Sequence, residues 1–133
     1  MEKIEIPYHL IIPSIASFIG LLLIFFNRKK LFKKKRIFWI SVSVFFILYL
    51  IIVGKAFYDS IFYQLELHRL DLNNDGFFNE NELTEELNAV MKKQNNDVGR
   101  NFSFITGFVF SLLISLLVYV FGKLFFRKKT EQL

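Results

Sequence analysis

Residues 37–54 read IFWISVSVFFILYLIIVG, eighteen consecutive positions without Asp, Glu, Lys or Arg. A helix rises about 1.5 Å per residue, so some 20 apolar residues in a row cross the ~30 Å hydrocarbon core of a bilayer. Two further runs flank this one: residues 6–26 supply 21 uncharged positions and residues 101–122 supply 22. One such helix can be the core of a soluble domain. Three of them in a chain of 133 residues would need a larger polar shell than the remaining sequence can build. The first run does not read as a cleaved signal peptide, because Glu2 and Glu5 precede it and the positive cluster follows it. The expectation is an all-α integral membrane protein with three transmembrane helices, at about 8–26, 37–54 and 101–122.

Composition removes several other classes. A chain that is 53% apolar and 18% aromatic is neither a disordered tail nor a linker. The absence of Cys removes disulfide scaffolds, thiolate metal sites and Cys nucleophiles. The net charge of +5 would suit a nucleic-acid partner only if the cations formed one polar face. They sit beside the apolar runs instead, so the expected surroundings are a lipid bilayer and no nucleic acid.

The cations also set the expected orientation. Arg28, Lys29, Lys30, Lys33, Lys34, Lys35 and Arg36 fill the connection 27–36, and Lys123, Arg127, Lys128 and Lys129 follow the third run. Positive loops stay cytoplasmic. Both clusters lie inside only if the N-terminus is outside and the C-terminus inside. The expected organisation is then a pair of spans over 1–54, an extracytoplasmic segment over 55–100, and a third span with a basic cytoplasmic tail over 101–133. Abundant Phe, Ile, Lys, Asn and Leu are common in AT-rich bacterial genomes, which points to a bacterial cytoplasmic membrane. The seven cations of the connection fix topology, with recruitment of anionic lipid as the alternative. Lys55 and Lys123 stand at span ends, where long side chains snorkel.

The spans themselves offer packing more than chemistry. Ser103, Gly107, Ser111 and Ser115 recur every four residues on one helix face, as Ala16 and Gly20 do on a smaller scale. Small residues at this spacing let helices approach closely. Pro13 is a candidate kink. No acid, base or His lies deep in any run, which disfavours a proton relay or a charged transport site.

Residues 71–82 read DLNNDGFFNENE. The spacing of Asp71, Asn73, Asp75, Gly76, Asn79 and Glu82 resembles the EF-hand loop of the calmodulin superfamily, a resemblance that covers residues 57–93. Calcium takes six to eight oxygens at ~2.3–2.6 Å. The resemblance implies one Ca²⁺ held by Asp71, Asn73, Asp75, the Phe77 carbonyl, Asn79 and a bidentate Glu82, with Gly76 at the sharp turn. The alternative is an Asx-rich turn between two helices. Phe57, Ile61, Leu65, Leu67 and Leu70 supply an incoming helix. Asn79 and Glu82 read as the start of an outgoing helix from about residue 80 to 94, with Leu83, Leu87, Val90 and Met91 on its apolar stripe. If the second span runs into the incoming helix, residues 37–70 form one rod ~51 Å long, with Gly54 as a candidate hinge. EF-hands in this superfamily pair through the loop's apolar eighth position, here Phe78. A single loop therefore implies a homodimer or higher even homo-oligomer, and a larger membrane protein is a further expected partner.

Three functions fit these features. The first is a membrane-anchored calcium sensor or regulator that couples calcium to the arrangement of its transmembrane helices. The second is a calcium-stabilised subunit of an oligomeric channel or transporter, assembled through the small-residue seams. The third is a purely structural calcium site. An enzyme is not expected: His9 and His68 are far apart in sequence and no Gly-rich phosphate loop occurs.

Overall fold

The computed structural model describes residues 5–72, 77–79, 83–95 and 97–131, with side chains described as far as Phe126 in the last helix. All regular structure among the described residues is helical: α1 (Tyr8–Leu70), α2 (Glu85–Asn95), α3 (Val98–Asn101) and α4 (Ser103–Glu131). Run length explains the choice. Aromatic and β-branched residues suit strands, but the apolar runs far exceed the ~5–6 residues of a usual strand and contain no turn signals. A helix satisfies every backbone group of such a run within itself.

α1 is one helix by hydrogen bonding and two by direction. Lys35, with φ −143° and ψ 61°, is the residue inside it that leaves the helical conformation. The arms 8–34 and 36–70 fold back on one another, antiparallel about that residue. The Glu5 N–H donates to Gln64 Oε1 at 2.8 Å and Gln64 Nε2 donates to the Glu5 carbonyl at 3.0 Å. Midway along, a Cβ placed on Gly20 would lie 2.9 Å from the Phe46 ring, so a larger residue there would push the ring aside. The basic connection is therefore helical through residue 34, and the reversal centres on Lys35. The i,i+4 like-charge pairs Lys29/Lys33 and Lys30/Lys34 weaken the helix where it breaks. Pro13 lies within the first arm, and the interruption is not there.

α4 closes the bundle antiparallel to the second arm. Tyr49 donates its hydroxyl to the Phe104 carbonyl at 3.0 Å, and Ser115 Oγ donates to the Ser41 carbonyl at 2.7 Å. Between these, a Cβ on Gly107 would stand 2.8 Å from Ile52 Cγ2. The Ser103, Gly107, Ser111 and Ser115 stripe is thus a seam inside one chain, and it is not open to a second copy in this arrangement. Leu10, Tyr49, Val53 and Ala56 form the buried cluster, with Phe45, Phe57 and Phe104 packed around it. In the first arm Leu10, Ser17 and Ile24 are buried at seven-residue intervals, the repeat of a coiled-coil seam.

The outward faces are apolar. Phe18, Phe25, Phe26, Leu113, Phe121 and Phe125 are all more than half exposed. α1 and the 103–126 part of α4 are long and apolar enough to cross a membrane, and only 17% of the most apolar window of each is buried. The core helix of a soluble protein would be mostly buried.

The second arm runs unbroken through Gly54 to Leu70, so the 55–70 part of α1 continues the apolar part. A Cβ on Gly54 would meet nothing within 4 Å. Gly54→Ala is expected to stabilise the rod by about 0.5–1 kcal/mol, whereas Gly107→Ala forces Ile52 aside and costs roughly 1–3 kcal/mol. Thermal unfolding of both variants in one detergent checks this, and equal effects at the two glycines would contradict the packing described.

Candidate functional site

The incoming helix ends where the loop resemblance begins. The Asp71 N–H still donates to the Leu67 carbonyl at 3.1 Å, but Asp71 itself is extended, with φ −81° and ψ 92°. Asp favours this exit because its short side chain offers the backbone a local alternative to the helix. Asp71 is 8% exposed, Phe77 76% exposed and Asn79 exposed. Asn73, Asp75 and Glu82, with Gly76, lie outside the described residues. Three of the six expected ligand residues are therefore described. Among the described residues no group of three or more His, Asp or Glu is placed to hold a metal ion.

α2 starts later than the sequence pattern implied. Its first residue is Glu85, and the Leu87 N–H donates to Thr84 Oγ1 at 3.1 Å. Thr84 is a good N-cap, and Glu85 and Glu86 in the first turn favour the positive end of the helix dipole. This cap replaces the Asn79/Glu82 start. α2 then lies alongside the 55–70 part of α1, antiparallel to it. Arg69 pairs with Glu86 at 3.1 Å near the loop end, and also with Glu66 at 3.1 Å. These exposed pairs contribute little energy. The fully buried Leu87 carries more of the contact.

The far end of α2 is held by Arg100. Its guanidinium donates to the carbonyls of Lys93 and Gln94, both at 3.1 Å, and to the Asp59 carbonyl at 3.4 Å. It pairs with Asp97 and lies over the Tyr63 ring, 4.8 Å from the centroid. The Arg100 side chain is 12% exposed. The last carbonyls of a helix have no partner of their own and carry partial negative charge. One cation thus closes the C-terminal end of α2 and ties it to α1 from α3, just before α4. In the sequence Arg100 stands only at the boundary between the 55–100 segment and the third apolar run. The hint was a lone Arg between an acidic segment and an apolar run.

The same end of the bundle gathers the N-terminal arm. His9 Nε2 and Asn101 Oδ1 are 3.1 Å apart, Asn101 Nδ2 donates to Asp97 Oδ2 at 3.1 Å, and His9 meets Phe104 edge-on. Lys55, just past the second apolar run, donates to both Asp59 carboxylate oxygens at 2.6 and 2.7 Å. That hydrogen bond chiefly raises the Lys55 ammonium above the usual lysine pKa, against a smaller lowering by desolvation, so it stays charged at the edge of the apolar zone.

No known protein family, curated protein or solved structure matches the chain. An acid-rich loop joins two antiparallel helices. One continues into an apolar helix, and the other is clamped by Arg100 of α3, which leads into α4.

Proposed function

We propose that the chain is a membrane-anchored calcium-binding regulator, with three transmembrane passes and one extracytoplasmic EF-hand. The loop residues Asp71, Asn73, Asp75, Phe77, Asn79 and Glu82 would hold one Ca²⁺. The observation that carries the regulatory part is the Arg100 clasp at the far end of α2, the helix that leaves that loop. Calcium binding to a sensor EF-hand changes the angle between its helices. Here a change in α2 bears on Asp59 and Tyr63 of α1 and on α3, which leads into α4, so the motion has a physical route into both apolar helices.

The proposed orientation is supported by charge at the two ends. The Glu5, Asp59, Asp97 and Arg100 end is joined to α2, while Lys34, Lys35, Arg36 and Lys123 lie at the other end. With the basic end cytoplasmic, the N-terminus and calcium loop face outward and the C-terminus inward. Single cysteines introduced at Asn74 and Lys129 and labelled on intact cells with an impermeant thiol reagent test this. Position 74 should label and position 129 should not, and the reverse pattern would overturn the orientation.

The unpaired loop supports a homodimer or higher even oligomer formed through Phe78. With the small-residue stripe of α4 already used within the chain, assembly through that seam has less support, and so has the channel-subunit reading that relied on it. Mass measured in lipid nanodiscs at saturating calcium should be an even multiple of the chain. A monomer under those conditions would exclude loop pairing.

A further inference from the structure

At the end of the bundle opposite α2, the reversal of α1 and the last turns of α4 enclose a cleft of about 630 Å³. Lys34, Lys35 and Arg36 enter it from the reversal and Lys123 from α4, with Phe38 and Tyr119 among its walls. No acid lines it. The walls are ordered against one another: Phe38 meets Tyr119 edge-on with centroids 6.3 Å apart, and Lys123 Nζ lies 5.1 Å from the Tyr119 centroid. At its base the helices touch, since a Cβ on Gly122 would stand 2.7 Å from Ile37 Cγ2.

Cations that served only to fix topology would need no common cleft. Lys34, Lys35, Arg36 and Lys123 are all exposed, so they stand around one partly apolar recess as a local positive potential that favours an anion there. The departure of Lys35 from helical geometry at this point also interrupts the regular backbone ladder beside the recess. A free anion would use the cationic side and leave the aromatic side wet. An anionic lipid satisfies both.

We propose that this cleft binds the phosphate of an anionic phospholipid, with the lipid's acyl part lying along Phe38 and the exposed apolar face of α4. The proposal rests on the membrane reading above but requires neither calcium nor a given orientation. Basic pockets between transmembrane helices are suited to such headgroups.

The test is native mass spectrometry of the full chain released from nanodiscs containing equal phosphatidylglycerol and phosphatidylcholine. Wild type should retain phosphatidylglycerol in preference. Lys123→Gln and Lys34→Gln should each lower that retention about fivefold, the factor expected for one basic residue at a membrane surface. Lys29→Gln, the same charge change outside the cleft, should lower it far less, and Lys123→Arg should keep most of it. Inorganic phosphate at millimolar concentration should not displace the lipid. Helix content in phosphatidylcholine alone verifies that each variant is folded, and Lys34→Gln carries the comparison if Lys123→Gln is not. Equal retention of the two lipids, equal losses from Lys29→Gln and the folded cleft variants, or displacement by phosphate would each overturn the site. A chain extracted from bilayers by alkaline carbonate would remove the membrane reading and the site together, whereas an embedded chain indifferent to lipid charge would remove the site alone.

Discussion

Arg100→Ala is expected to free the C-terminal end of α2 and to destabilise the folded hairpin by roughly 2–3 kcal/mol, the size of losing hydrogen bonds from a charged donor in a partly buried site. The Lys93, Gln94 and Asp59 carbonyls lose their donor, Asp97 loses its ion pair and the Tyr63 ring loses its cation. Water replaces part of this, which keeps the cost below that of a fully buried pair. Arg100→Lys should recover only a fraction, because a lysine cannot span several acceptors with a planar fork. Amide hydrogen exchange across residues 85–95 should rise sharply in Arg100→Ala and modestly in Arg100→Lys. Unchanged exchange would show that α2 is held by Leu87 and the loop alone, and the proposed route from loop to membrane would fail.

Glu82→Ala is expected to remove most calcium binding. Of the six proposed ligands, Glu82 alone gives two oxygens to the ion. Even a partner one shell removed from a metal typically costs about 10–100-fold in affinity when deleted, so loss of this ligand should cost at least that much. Glu85 provides the control. It carries the same charge three positions on, but stands in the first turn of α2 behind the Thr84 cap. Glu85→Ala should change affinity only slightly, through the local potential. At ten times its dissociation constant, calcium should stabilise the hairpin by about 1.4 kcal/mol. Glu82→Ala should abolish that gain, with wild type in chelator as the comparison.

What the chain makes legible before folding is whatever depends on local repetition. Run length alone indicated the long apolar helices, and the four-residue spacing from Ser103 to Ser115 marked a seam. The partner of that seam was not legible, because Ile52 and Ser41 face it only after α4 has folded back. The single-residue reversal at Lys35 was hidden for a related reason. Lysine is a good helix former, and the break comes from accumulated charge repulsion and from the pull of the two arms packing together. Thr84 was legible as a cap, with two acids following it, but the loop motif drew the helix start forward to Asn79. Arg100 was the least legible. Its meaning lies in the carbonyls of residues 93, 94 and 59 and in the face of Tyr63, and no spacing in the sequence encodes their convergence.

The most direct test of the central claim is isothermal titration of calcium into the full chain in detergent, alongside Glu82→Ala and Glu85→Ala. The account predicts one calcium per chain, with a dissociation constant of roughly 0.1–1 mM, the range of extracellular EF-hand sites. Heat should be nearly absent in Glu82→Ala and nearly unchanged in Glu85→Ala. No calcium heat at millimolar concentration, or equal heat from wild type and Glu82→Ala, would contradict the EF-hand reading and the regulatory function built on it.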